Sequence, residues 1–185
     1  MHAMYASEMT LEDARQISVW SYDEPYSMYS MDSSIETVEE LIAGDYYAVY
    51  SQSMLIGFYC TGRSAQVPSA KLQGVYSEGY IDIGLGLKPN MTGKGYGKDF
   101  MSFILDEVLK HSPKTRLRLT VAKWNTRAIR LYERFSFVEV KQFSRNKMTF
   151  LVMKQKKELK HQPENWPMLL VLFSKLIHFY LCKHT

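Results

Sequence analysis

Residues 81–105 read IDIGLGLKPNMTGKGYGKDFMSFIL, two apolar runs joined at 92–97 by a glycine-rich corner, TGKGYG. Glycine destabilises the interiors of strands and helices, so this corner separates a strand predicted at 79–87 from a helix predicted over about 96–110. The start of a helix offers unpaired backbone N–H groups and the positive end of the helix dipole. With Lys94 inside it and Lys98 directly after it, the corner predicts a binding site for phosphate or pyrophosphate.

Two well-known phosphate-binding patterns do not describe this corner. The P-loop pattern G-x-x-x-x-G-K-[ST] does not occur in the chain, and GKGYG departs from the dinucleotide pattern G-x-G-x-x-G. A flexible connector therefore remains an alternative interpretation of the corner taken by itself.

The regions on either side of the corner predict a mixed fold. Helices are indicated after Thr10, between Ser33 and Gly44, and over about 126–135, and aromatic runs around SQS at 51–53 indicate a hairpin. The element order is β-α-α-β-β-β-α-β-α-β-β, and residues 61–77 are predicted to form a long polar loop. We therefore expect an α/β (α+β) fold, with a mostly antiparallel central sheet of six or seven strands and about four flanking helices.

The charge of the chain is unevenly distributed. Of 185 residues, 46% are hydrophobic and the net charge is +4, carried by six Lys and two Glu within residues 154–185. Residues 1–153 are neutral overall, so we expect no nucleic-acid partner. Cys60 and Cys182 have no metal-ligand spacing, and the first residues, MHAMYASEM, lack a signal-peptide pattern. We expect a cytoplasmic protein without a metal.

Residues 154–185 are predicted to be an appendage to a domain at 1–153. The appendage consists of a basic linker and an apolar C-terminal helix that begins near Pro167. Its apolar stretch, 166–181, is shorter than the roughly 20 residues of a membrane-spanning helix. The alternatives are docking on the body, formation of a homodimer through this helix, and association with a membrane surface.

Two segments resemble the GNAT superfamily of N-acetyltransferases. TGKGYG matches the family's acyl-CoA pyrophosphate loop, [Q/R]-x-x-G-x-[G/A], except that Thr92 stands where Gln or Arg is usual. VAKWNTRAIRLYERFSFVEV, at 121–140, is similar to the family's fourth-helix region, with Asn125 followed seven residues later by Tyr132. Ser136 replaces the usual glycine after that helix. The resemblance covers residues 3–153 and is closest to the alanine-N-acetyltransferase-like branch.

The resemblance implies that acetyl-CoA is the acyl donor. The corner would hold the pyrophosphate, and a free strand edge around Leu85–Leu87, with a bulge or close backbone approach at Gly84 and Gly86, would pair with pantetheine. Asn125 would bond the pantetheine arm. The implied cofactor-binding residues are Leu85, Gly86, Leu87, Thr92, Gly93, Lys94, Gly95, Tyr96, Gly97, Lys98 and Asn125.

Catalytic residues follow from the same resemblance. Tyr132 would protonate the departing thiolate, with packing in the core as its alternative role. Thr120 occupies the position where the compared branch often has a glutamate base, so Asp82 is the first candidate for the base and Glu78 the second. A structural partner for an arginine is the alternative role for Asp82.

The acceptor is indicated less specifically. The segment SYDEPYSMYSMD, at 21–32, mixes the carboxylates of Asp23, Glu24 and Asp32 with three tyrosines, which suits a cationic amine. The resemblance implies direct transfer of acetyl to a small-molecule amine or a peptide N-terminus, with the oxyanion held by a backbone N–H near Leu87. The alternative is a non-catalytic acyl-CoA-binding sensor or partner module.

Overall fold

A single seven-stranded sheet organises the described part of the chain, which comprises residues 3–71, 74–76 and 78–156 of a computed structural model. The strands are β1 (Met4–Glu8), β2 (Tyr46–Ser51), β3 (Met54–Thr61), β4 (Ile81–Leu87), β5 (Leu117–Ala122), β6 (Phe137–Arg145) and β7 (Met148–Gln155). Their spatial order is β1-β2-β3-β4-β5-β7-β6, and neighbouring strands are antiparallel except for the parallel pair β4 and β5.

Five α-helices lie in these described ranges. They are α1 (Leu11–Ser18), α2 (Ile35–Ala43), α3 (Pro68–Lys71), α4 (Gly97–His111) and α5 (Thr126–Arg134). Thr10 and Asp13 form a capping box at the start of α1, because each side chain bonds the other residue's backbone N–H. The cap of α2 is Ser34, one residue after the predicted Ser33, which adopts a positive φ of 60°.

The helix α4 packs its apolar face against the centre of the sheet. Phe100, Met101 and Ile104 are almost fully buried in the largest core cluster, which also contains residues of β3, β4, β5 and β7. The helix α4 follows β4 in the sequence, and its burial holds it against the sheet. The glycine-rich corner therefore lies near the end of β4. The predicted β-α-β step is therefore β4-α4-β5.

The parallel pair β4 and β5 separates after a short contact. Only Ile81 with Leu117 and Asp82 with Arg118 are in register, although β4 continues to Leu87 and β5 to Ala122. A fork thus opens between the carboxyl-terminal halves of the two strands. In a sheet, backbone groups along such an edge are left for another partner.

The predicted fold class and element order are confirmed, with two differences in detail. The segment 61–77 contains a 3-10 turn (Gly62–Ala65) and α3, and Val67 and Val75 pack in a small core cluster, so the described part of this segment is not an open loop. Strand β7 extends to Gln155, two residues beyond the predicted domain end. The predicted C-terminal helix lies outside the described residues, within which no helix is long and apolar enough to cross a membrane.

Candidate active site

A cleft of about 690 Å³ occupies the fork between β4 and β5. Its walls are the end of β4, the glycine-rich corner, the end of β5 and one side of α5. The cleft brings together most of the predicted site residues, namely Leu85, Gly86, Leu87, Thr92, Gly93, Gly95, Gly97, Lys98, Asn125 and Tyr132. Three predicted residues do not line it: Asp82, Lys94 and Tyr96.

One edge of β4 presents its backbone to this cleft. The N–H of Ile81 donates to the carbonyl of Arg116 on the β5 side, whereas the N–H of Lys88 donates to the carbonyl of Ile56 on the β3 side. Because backbone groups alternate along a strand, the N–H groups of Leu85 and Leu87 face the fork. They can pair with the amides of an extended ligand or hold a developing oxyanion.

Gly84 and Gly86 in β4 leave room for side chains of β3. A Cβ atom on Gly86 would lie 2.3 Å from the ring of Phe58, and one on Gly84 would lie 2.8 Å from the sulfur of Cys60. Strands β3 and β4 pair without a register shift, so the predicted bulge at these glycines is not present. The close approach at Gly84 and Gly86 is made by side chains of the neighbouring strand.

The glycine-rich corner leads into α4 through left-handed backbone conformations. Gly93 has a φ of +73° and Gly95 a φ of +86°, values that side chains disfavour. Thr92 donates its hydroxyl to the carbonyl of Pro89 at 2.9 Å, so this side chain braces the turn. The first N–H groups of α4 have no partner within the helix, and Tyr96 at the N-cap supplies no side-chain acceptor. The backbone N–H groups of Gly97 and Lys98, two residues that line the cleft, are therefore left for a ligand.

Replacing Gly95 with alanine should weaken the acetyl-CoA binding that the sequence resemblance implies for this corner. Left-handed backbone costs an L-residue roughly 1–2 kcal/mol, which corresponds to about a tenfold rise in the acetyl-CoA KM when the loop shifts to relieve it. The matched control is Gly74→Ala, because Gly74 also has a positive φ (+60°) and open space around it but does not line the cleft. Steady-state kinetics on both variants check the result, and an equal KM for the two would contradict it.

A row of arginines on α5 completes the positive end of the cleft. Arg127, Arg130 and Arg134 all line it, since residues three and four positions apart share one helix face. The guanidinium of Arg127 also lies 4.1 Å above the ring of Tyr26. Guanidinium groups bind phosphate oxygens in bidentate fashion. These arginines were not predicted as site residues, although their spacing of three and four positions in TRAIRLYER indicates one face of a helix.

Asn125 forms the N-cap of α5 at the mouth of the fork. Its Oδ1 accepts the N–H of Ala128 at 3.1 Å, and its Nδ2 donates to the hydroxyl of Tyr29 at 3.2 Å. Burial raises the pKa of Tyr29, so its phenol stays neutral. The start of α5 thereby holds the side chain of Asn125 in place. Its Nδ2 lies on the side of the fork that Tyr29 lines.

Tyr132 lies on α5 inside the cleft and is 9% exposed. Its ring centroid is 6.3 Å from that of Phe137, and it belongs to the main core cluster. Its hydroxyl has no hydrogen-bond partner in the part of the chain that the structure describes. Burial raises the pKa of Tyr132 well above its ordinary value, so the phenol is neutral and keeps a proton to donate.

Asp82 lies at the closed end of the fork. Arg118 donates from Nε to Oδ1 at 2.6 Å and from Nη2 to Oδ2 at 2.8 Å, and Gln66 donates to Oδ2 at 2.7 Å. Asp82 and Arg118 are 2% and 1% exposed. Asp82 is thus the partner of an arginine, which was its alternative role, and it does not line the cleft; its role as the base stays a prediction. Glu78 is exposed and also lies outside the cleft lining.

The tyrosine-rich segment at 21–32 covers one side of the fork. Tyr22 donates its hydroxyl to the carbonyl of Leu87 at 2.8 Å, and both Tyr22 and Tyr29 line the cleft. The three predicted carboxylates do not line it. Hydrogen bonds from Ser34 and Thr37 lower the pKa of Asp32 to about 2, because its carboxylate caps the turn before α2. The aromatic part of the predicted acceptor segment is thus at the cleft, and its acidic part is not.

The forked sheet, with a glycine-rich corner at the start of the helix that follows β4, agrees with the fold that the sequence resemblance implies. The model of the acetyltransferase (GNAT) family matches residues 11–137, and the chain belongs to this family. The finer resemblance to an alanine-N-acetyltransferase-like branch stays a prediction. No curated protein matches the chain in sequence.

Solved structures share the fold at low sequence identity. An aminoglycoside acetyltransferase, AAC(6')-Ib in complex with coenzyme A, is 19% identical over 84% of this chain and 95% of its own, with a TM-score of 0.63. A spermidine N-acetyltransferase chimera from Vibrio cholerae and hSSAT is 20% identical over 82% and 94%, with a TM-score of 0.60. A GNAT acetyltransferase from Bacillus anthracis is 14% identical over 82% and 93%, with a TM-score of 0.62.

Proposed function

We propose that the protein is an N-acetyltransferase that transfers acetyl from acetyl-CoA to a primary amine by direct attack within a ternary complex. The observation that carries this proposal is the fork: the backbone N–H groups of Leu85 and Leu87, the glycine-rich corner and Tyr132 share one cleft. Structural relatives named for aminoglycoside and spermidine acetylation support an amine acceptor.

The residues of the cleft fit acetyl-CoA as the donor substrate. The backbone of Gly93–Lys98 and the arginines of α5 would hold its phosphates, because both present positive charge at one end of the fork. The edge of β4 would pair with the pantetheine amides, and Asn125 would bond the same arm. The backbone supplies most of these contacts, so the proposal is compatible with the departure at Thr92.

Acetyl transfer from acetyl-CoA to an amine forms one bond, breaks another and moves two protons. A carbon–nitrogen bond forms to the acetyl carbonyl and the carbon–sulfur bond breaks, while the amine loses one proton and the sulfur gains one. The N–H of Leu87 or Leu85 would stabilise the oxyanion, and Tyr132 would donate the proton to the sulfur. The proton from the amine would leave to water; the contact of Asp82 with Arg118 supports this route over transfer to Asp82.

A thiol-release assay with acetyl-CoA and a panel of primary amines tests the function. The panel should include diamines, aminoglycosides, amino acids and short peptides, and binding of acetyl-CoA should be measured on the same preparation. Amine-dependent release of thiol supports the transferase. Tight binding of acetyl-CoA with no release for any amine would instead indicate the non-catalytic acyl-CoA-binding module.

We further propose a cytoplasmic location. Cys60 is a buried free thiol, which suits a reducing compartment.

A further inference from the structure

Two cations meet over one tyrosine ring at the start of β4, at the end of the strand away from the cleft. The Nζ of Lys154 lies 4.1 Å and the Cζ of Arg116 lies 4.5 Å from the centroid of the Tyr80 ring. These three residues are here called the Tyr80 cluster. None of them lines the cleft, so the cluster is separate from the candidate active site.

The sheet holds the members of the Tyr80 cluster in a fixed arrangement. The N–H of Ile81 donates to the carbonyl of Arg116 at 2.9 Å, which joins the starts of β4 and β5. Gly79 has a φ of +82°, and a Cβ atom on it would lie 3.1 Å from Nη2 of Arg116, so this glycine leaves room for the guanidinium. Lys154 comes from β7, where it is in register with Arg118. Three strands therefore bring these groups together.

The two cations of the Tyr80 cluster have no counter-ion within the described ranges. Neither Arg116 nor Lys154 forms an ion pair there. The carboxylate of Asp82 is engaged by Arg118, whose Cζ lies 5.3 Å from the same ring centroid. Residues 112–156 contain 12 Lys and Arg but only two Glu and no Asp. Positive charges that converge in this way repel each other, and an anion bound between them would remove the repulsion.

We infer that the Tyr80 cluster binds a phosphate dianion, either inorganic phosphate or a small phosphate monoester. A phosphate group carries roughly −1.5 to −2 charges at pH 7, which matches two cations, whereas a carboxylate would neutralise only one. The guanidinium of Arg116 can bind two oxygens and the ammonium of Lys154 a third. The hydroxyl of Tyr80 is a further donor, since it has no hydrogen-bond partner among the residues that the structure describes. This inference does not depend on the proposed function.

Nuclear magnetic resonance titrations of the isotope-labelled full chain test this inference. The probes are inorganic phosphate, glycerol 2-phosphate and acetate at constant ionic strength, with excess coenzyme A present to compete for the cleft. We expect the backbone amide signals of Gly79 and Tyr80 to shift saturably with inorganic phosphate, and acetate to bind at least about tenfold more weakly, a difference of about 1.4 kcal/mol. Saturable shifts with glycerol 2-phosphate as well would identify a site for phosphate monoesters, and shifts with inorganic phosphate alone a site for the free ion.

Matched variants locate the binding at the Tyr80 cluster. Arg116→Gln and Lys154→Gln should each raise the Kd for inorganic phosphate about tenfold, since each removes one of the two charges. The control is Arg145→Gln, because Arg145 is also an exposed arginine but lies on β6 with Met148 as its register partner. Shifts at Gly79 and Tyr80 that do not saturate would overturn the inference. So would acetate binding as tight as phosphate binding, or a Kd in both cluster variants equal to that of the control. These signals are local, so the result holds whether or not the cleft binds acetyl-CoA.

Discussion

Replacing Tyr132 with phenylalanine is expected to lower kcat by about 10²–10³-fold, within the range for loss of a general acid, while the affinity for acetyl-CoA changes little. The substitution removes only the hydroxyl and keeps the ring that packs near Phe137. Because burial raises the pKa of Tyr132, the donor form persists to higher pH than for an ordinary tyrosine. The wild type should therefore show no loss of activity from its deprotonation as pH rises through the ordinary tyrosine pKa of about 10.

The matched control is Tyr59→Phe. Tyr59 is also buried, and burial raises its pKa too, but it lies outside the cleft. Removing its hydroxyl should leave kcat within about twofold of the wild type, as expected for a group that does no acid catalysis. Single-turnover rates and calorimetric titration of coenzyme A on both variants decide the matter. A Tyr132→Phe enzyme with wild-type kcat would show that this residue only packs.

Replacing Asp82 with asparagine should destabilise the protein by about 3 kcal/mol, because breaking a buried ion pair by removing one of its partners is strongly destabilising. The charge left behind belongs to Arg118, which is 1% exposed. The pair lies where β4 and β5 are last in register, so its loss should weaken the closed end of the fork. Urea unfolding followed by circular dichroism measures the change in the free energy of unfolding.

Activity measured on the folded fraction separates the two roles of Asp82. If its role is structural, Asp82→Asn should retain the pH profile of kcat, and the exposed Glu78→Gln control should change neither stability nor rate. Unchanged stability together with a large loss of kcat and an altered pH profile would restore Asp82 as the base.

Local patterns made the elements of this fold predictable from the sequence. The capping pattern at Thr10, the apolar face of α4 and the glycine-rich corner between strand and helix all depend on residues a few positions apart. Residues that line the cleft could also be proposed from the sequence, because the corner and Asn125 each belong to a recognisable segment. The start of α2 was misplaced by one residue since neighbouring serines offer the same cap.

Contacts between distant residues were not predictable in the same way. The partner of Asp82 depends on the parallel register of β4 with β5, and α4 separates those strands in sequence. The arginines of α5 were visible as one helix face, but the direction of that face is set by tertiary packing.

The most direct test of the account is the stoichiometry of the transfer itself. Wild-type protein is incubated with acetyl-CoA and its best amine, and the amide is quantified by mass spectrometry while the released thiol is measured in the same reaction. The account predicts one amide for each thiol, with no release when the amine is omitted and no acetylated protein. Tight binding of acetyl-CoA without amine-dependent release of thiol would contradict it.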